Sequence, residues 1–182
     1  NWGCMDDPIA VNYDSEAEND DGTYCSYEGG NYSLSFDGGD DYLISNNGDA
    51  LSNLNISNTI TLSAWIYNYD GGAARQCIVS KRYGSQYSGN CNYQLYIQNS
   101  TIRFWNGSDQ NDFGYIVPKD MWIKIDMVID GSQALLYANG ELVVTRSATI
   151  GSSTSGPLWI GYYDHPADDE LFNGMIDEVA IW

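Results

Sequence analysis

The chain has 182 residues, room for one sizeable domain and a small appendage, and 43% of them are hydrophobic, enough for a packed core. Its formal charge is -18, from 25 acidic and 7 basic side chains. That balance argues against nucleic acid and anionic membrane surfaces as partners, since both are held by Lys and Arg, and it makes cations the natural small partners. No apolar run approaches the ~20 residues that direct membrane insertion requires.

Residues 1–28 read as an acidic module. Seven carboxylates and no basic side chain lie between Cys4 and Cys25, a crowding that opposes folding. Calcium takes about six to eight hard oxygens, several of them carboxylate, with a glycine where the chain turns sharply. Asp6, Asp14, Asp20 and Asp21, followed by Gly22, supply that pattern. A Cys4–Cys25 bridge would add about 3 kcal/mol in the loop-entropy view, while a divalent ion removes the crowding directly. The plainer reading is a solvated acidic linker closed by the bridge.

YEGGNY, residues 27–32, reads as a linker, and the pattern then changes to short strands. In ITLSAWIY, Ile60, Leu62, Ala64 and Ile66 alternate with Thr61, Ser63, Trp65 and Tyr67. In WIKIDMVI, Ile123, Ile125, Met127 and Ile129 take the inward positions. Period two is the strand signature. Asn139-Gly140 supplies the positive φ of a type I′ hairpin. Asp130-Gly131 is expected to turn one hairpin earlier through a longer loop, and Asn106-Gly107 follows the strand TIRFW. About a dozen such strands, without helical periodicity, predict an all-β sandwich. Its long connections are expected at 45–59, 68–76, 82–91, 106–114 and 164–171, where binding loops gather.

The four cysteines form two local pairs, Cys4 with Cys25 and Cys77 with Cys91. Four cysteines allow three connectivities. Local pairing is favoured because the composition changes near residue 28, as if each module carried its own bridge. Zinc is the competing reading, weakened by the absence of C-x-x-C and by a single histidine, His165. Disulfides imply an oxidising, extracellular setting, secreted or at the cell surface. With no leader ahead of Asn1 and an apolar strand running to Trp182, the sequence is expected to be a piece of a longer chain with flanking domains.

LSFDGGDDYL (34–43), ITLSAWIY (60–67), IVSK (78–81), YQLYI (93–97), LLYANGELV (135–143), LWIGYY (158–163) and FNGMIDEVAIW (172–182) occur in an order that resembles a laminin G-like domain of the concanavalin A-like lectin/glucanase superfamily. The likeness covers residues 32–182. It implies a jelly roll of two curved antiparallel sheets that binds a glycan or a cell-surface protein and often holds calcium. The N-terminal module is similar, more loosely, to the acidic repeats of thrombospondin type 3. The superfamily's adjacent first and last strands imply a second metal site from Asp37 and Asp177 with the Gly39 carbonyl. The plainer reading gives Asp37 and Asp40 turn hydrogen bonds, and Asp177 the same at a strand edge.

The same superfamily contains glycoside hydrolases, which need two carboxylates flanking the scissile bond. None of Glu16, Glu18, Glu28, Glu141, Glu170 and Glu178 forms the family 16 E-x-D-x-E triplet, and His165 lacks sequence partners for a triad. The chain therefore reads as a non-catalytic module of a surface adhesin or a polysaccharide-acting protein. The alternative is a structural spacer or protein-docking module of a surface filament, with a glycoside hydrolase the remote third. Sugars are held by aromatic faces, carboxylates and amides. The rim candidates are Tyr67, Tyr69, Asp70, Arg75, Tyr83, Trp105, Asp109, Asp112, Tyr163, Asp164 and His165. Trp65, Trp122, Trp159 and Trp182, inside strands, are assigned to core or sheet-face packing.

Overall fold

The computed structural model describes residues 33–45, 54–69, 72, 74–82, 91–163 and 170–182. The expected N-terminal module, with Asp6, Asp14, Asp20, Asp21, Cys4 and Cys25, lies outside the described residues, as do Asp70, Tyr83, Asp164 and His165.

The described residues form strands only. They are β1 (Leu34–Asp37), β2 (Leu43–Ile44), β3 (Thr59–Asn68), β4 (Arg75–Arg82), β5 (Cys91–Gln98), β6 (Thr101–Trp105), β7 (Gln110–Ile116), β8 (Trp122–Asp130), β9 (Gln133–Ala138), β10 (Glu141–Ser147), β11 (Leu158–Ile160) and β12 (Asn173–Ile181). Two six-stranded sheets result, ordered β1-β12-β3-β8-β9-β10 and β2-β11-β4-β5-β6-β7, and every strand pair is antiparallel. This is an all-β sandwich, as the alternation predicts, of the jelly-roll kind that the resemblance implies.

The core lies between the sheets. The inward residues of β3 and β8 are all buried, and they pack with Leu95, Ile97, Ile102 and Phe104 of the other sheet. Asn139 and Gly140 both take positive φ, 50° and 81°, as a type I′ turn requires. The hairpin before it is tighter than expected. Asp130 pairs with Gln133, so the loop is Gly131-Ser132 alone. The connection expected at 106–114 also shrinks to 106–109, because β7 begins at Gln110.

Register corrects two further expectations. Cys77 and Cys91 are free, buried thiols. Cys77 sits opposite Tyr96 and Cys91 opposite Arg82, so the two are five residues apart along one strand pair, about 15 Å. A bridge needs Cα atoms within about 7 Å. The first and last strands do lie side by side, but Asp37 pairs with Asn173, while Leu34 pairs with Ile176. Asp177 therefore sits at the far end of that pairing, about 13 Å from Asp37, and shares no site with it.

Candidate functional site

Directly opposed residues of an antiparallel sheet project from the same face. In the second sheet the register aligns Ile44, Trp159, Ser80, Gln94, Trp105 and Gln110 in one row across six strands. A parallel row holds Cys77, Tyr96, Arg103 and Asp112. Between these rows run Val79, Leu95 and Phe104, which belong to the core. The two polar rows therefore occupy the sheet's outer face.

That face is covered rather than solvated. The chain after β11 folds back along β4, where the Cys77 N–H donates to the Glu170 carbonyl and the Glu170 N–H to the Tyr163 carbonyl, both at 3.0 Å. Tyr163 and Glu170 are buried as a result, and so are Ser80, Arg82 and Gln94 beneath them. Buried polar groups must pair, and here they form a chain. Arg82 Nη1 donates to Gln94 Oε1 at 2.7 Å. Gln94 Nε2 donates to Glu170 Oε2 at 2.6 Å. Arg75 Nη1 lies 3.5 Å from Glu170 Oε1. The Arg82 guanidinium also stacks on the Tyr163 ring, 3.7 Å from its centroid.

Beside this chain a cavity of about 200 Å³ opens, lined by Arg75, Arg82, Gln94, Tyr96, Trp105, Gln110 and Glu170. Gln110 Nε2 donates to Gln98 Oε1 at 2.8 Å and also to the Tyr96 hydroxyl, which orients one wall. Trp105 Nε1 is buried without an acceptor among the described residues, as are Ser80 Oγ and Arg103 Nε on the same face. Burial pushes the Glu170 carboxyl up, against the pull of Arg75, Arg82 and Gln94. Burial likewise raises the Cys77 thiol, and pushes Tyr96 up to about 12, so neither is a nucleophile at neutral pH. The site offers guanidinium, amide and indole donors, two aromatic faces and one carboxylate. That equipment hydrogen-bonds and stacks on a polar ring-shaped ligand.

Of the sequence-predicted residues, Arg75 and Trp105 line this cavity. Tyr163 stacks on Arg82, one of the lining residues. Asp112 lies on the same face, two strands from Tyr96, held by Arg103 Nη2 at 2.7 Å. Asp109 lies just outside, in a neighbouring cleft. Tyr67 and Tyr69 pack edge to face on the other sheet, where Tyr67 also meets Trp122. Trp159 joins a surface cluster with Tyr42 and Tyr162, and Trp182 is exposed. Arg82, Gln94, Tyr96, Gln110 and Glu170 were not foreseen. One signal existed: in β5, Asn92, Gln94, Tyr96 and Gln98 alternate with Tyr93, Leu95 and Ile97, a polar face on a central strand.

At the end of β1, Asp37, Asp40 and Asp41 offer carboxylate oxygens within 4.8 Å of one another. Gly38, at φ 75°, turns the chain so that the Gly39 N–H donates to Asp37 Oδ1 at 2.7 Å. Asp40 N–H donates to the same oxygen, and the Asp37 N–H donates to Asp41 Oδ2. The foreseen turn bonds are thus present at Asp37, with Asp41 joining it and Gly39 contributing its N–H, and Asp177 makes its own local bond, Oδ1 accepting the Glu178 N–H at 2.7 Å.

A family model described as the concanavalin A-like lectin/glucanases superfamily, of laminin G type, matches residues 37–182. No curated protein matches the chain. Among solved structures, a Bacteroides ovatus protein regarded as carbohydrate-binding superposes with TM-score 0.61 and 18% identity, over 82% of this chain and 42% of that one. The Ruminococcus gnavus IT-sialidase CBM40, bound to α2,3-sialyllactose, gives 0.60 and 16%, over 83% and 88%. Domains LG4-5 of the mouse laminin α1 chain give 0.59 and 13%, over 82% and 40%. The chain thus spans about two fifths of the length of the first and third of these, and at such identities the likeness is one of fold.

Proposed function

Because this chain belongs to the concanavalin A-like lectin/glucanase superfamily, we propose that it is a non-catalytic, extracellular glycan-binding module of a larger surface or polysaccharide-acting protein. The observation that carries this reading is the outer-face cavity, whose wall is made by Trp105 beside Gln94, Tyr96, Gln110 and two guanidiniums. A sugar supplies both the hydroxyl acceptors and the C–H face that such a wall takes. Glu170 is the one carboxylate among the described residues lining it, whereas hydrolysis works through two.

Calcium is the second part of the proposal. Among the described residues, Asp37 Oδ2 and Asp41 Oδ1 remain open beside Asp40 after the turn bonds are made, a hard-oxygen set that suits a cation with further water ligands. The ion would brace the chain's entry into β1.

A glycan array probed with the folded protein in Ca²⁺, then in EDTA, tests both parts, with melting curves in each buffer. Binding is expected for the wild type. Trp105→Ala should lower affinity about tenfold, the loss of roughly 1.5 kcal/mol of ring contact. Calcium should raise the melting temperature, and Asp40→Asn should abolish the rise. An array with no hits from folded protein would replace the glycan reading by protein docking, for which the exposed Tyr42, Leu43 and Ile44 at the β2 edge are the surface. Equal melting in both buffers would remove calcium from this turn.

A further inference from the structure

The cavity has a neighbour. A cleft of about 360 Å³ lies between the edge strands β7 and β10, lined by Asp109, Gln110, Asn111, Ser132, Ser147 and Thr149. Gln110 belongs to both linings, so the two adjoin at the start of β7. Polar side chains make up most of the cleft's lining, with Ala148 among them. Asn111 Nδ2 is buried there without an acceptor among the described residues. The turn beside it is held in place. Asn106 Oδ1 accepts the N–H groups of Ser108 and Asp109, at 3.0 and 2.7 Å, and Asn106 Nδ2 donates to the Thr149 carbonyl at 2.9 Å. A site fixed before binding loses little entropy on binding.

Size separates two kinds of ligand. The cavity alone, about 200 Å³, falls below the roughly 300–1,000 Å³ usual for small-molecule pockets. The cleft alone, about 360 Å³, falls inside that range, so the cavity needs the cleft beside it to take a ligand of ordinary size. Each part is also lined by a side chain whose donor is buried without an acceptor among the described residues, Trp105 through Nε1 in the first and Asn111 through Nδ2 in the second. Such donors are costly to leave unmade and are the usual mark of a group meant for a ligand or water.

We propose that the ligand is a linear oligosaccharide rather than a single terminal sugar. One unit fills the cavity against Trp105, and the chain continues past Gln110 into the β7–β10 cleft, where a hydroxyl accepts from Asn111. This rests on the glycan reading above and adds its length and direction.

Calorimetry with linear ladders of one to six units of β1,4-linked glucose, β1,4-linked galactose and α1,5-linked arabinose, preceded by an array that includes branched and single terminal sugars, tests it. The expected result is affinity at least about tenfold higher for chains than for the matching single sugar, levelling off once the cleft is filled. Asn111→Ala and, separately, Ser147→Ala should remove that gain, while thermal melting shows that both still fold. Equal affinity for single sugars and chains, hits restricted to branched glycans, or chain affinity unchanged in both variants would overturn the inference and leave the glycan reading standing. An array without any hit would overturn the glycan reading, and this inference with it.

Discussion

The two sheets of this sandwich treat their outer faces differently. On the sheet containing β3 and β8, outward residues are satisfied by their cross-strand neighbours. Ser63 Oγ donates to Asp126 Oδ1 at 2.6 Å, and Tyr67 packs on Trp122 with ring centroids 5.7 Å apart. On the sheet containing β4 and β5, nearly every residue of these two strands is buried on both faces, with Tyr163 and Glu170 lying against the outer one. Of the five buried side-chain groups without a partner among the described residues, three, on Ser80, Arg103 and Trp105, lie on this outer face, whereas Tyr93 and Asn111 project from the sheet's inner side. The first face closes its own hydrogen bonds. The second leaves three polar groups open.

The comparison can be broken first through its shared part. Phe104 and Trp105 are consecutive, but Phe104 faces the core. Phe104→Ala should cost about 3–5 kcal/mol of stability, measured by urea denaturation, and Trp105→Ala far less. Equal costs would mean that Trp105 is structural and that the outer face is merely a second core.

A smaller effect compares the faces themselves. Gln94→Leu leaves both Arg82 Nη1 and Glu170 Oε2 short of a partner in a buried place, at about 1–3 kcal/mol for each orphaned group. Ser63→Ala on the other sheet should cost about 0.5–1.5 kcal/mol, since half-buried Asp126 can turn to water. If Ser63→Ala proved as costly as Gln94→Leu, the distinction between a self-satisfied and a covered face would fail.

The smallest effect is one of pH. Burial lifts Glu170 above its ordinary 4.5, so the folded protein holds that proton where the unfolded chain has released it. Its contribution to stability is therefore fully present below the ordinary value and is lost as pH rises through the raised one. Glu170→Gln, neutral throughout, should flatten that part of the stability profile. Denaturation midpoints followed between about pH 4 and 7 would show it, and parallel profiles for the two proteins would mean that Arg75 and Arg82 fully offset the burial.

How much of this was legible in the sequence follows from what each feature depends on. The inward sets of β3 and β8 depend only on alternation within one strand, and they were read correctly residue by residue. Trp105 and Arg75 were found as strand-end residues of a kind that binds sugars. Gln94, Gln110 and Glu170 were missed because their meeting depends on register between four strands and on a covering segment, and register leaves no mark in any one strand. The same reason accounts for the two misplaced pairs. Cys77 and Cys91 look close across a loop, and Asp37 and Asp177 look close across adjacent strands, yet in both cases the pairing slides them apart by four or five residues. The turn chemistry was legible in kind but not in length, as Gly131-Ser132 shows.

The pairing of β1 with β12 has a mechanical meaning. Because the strands run antiparallel and Leu34 faces Ile176, the chain enters the sandwich at Ser33 and leaves it at Trp182 from the same end. Tension drawn through those two points acts at one end of the β1–β12 seam. It loads the hydrogen bonds of that seam one after another, as a zip is opened, and never all four residue pairs at once. Force applied to the sandwich at those two points therefore peels this seam rather than shearing it, the weaker of the two ways to load a strand pair.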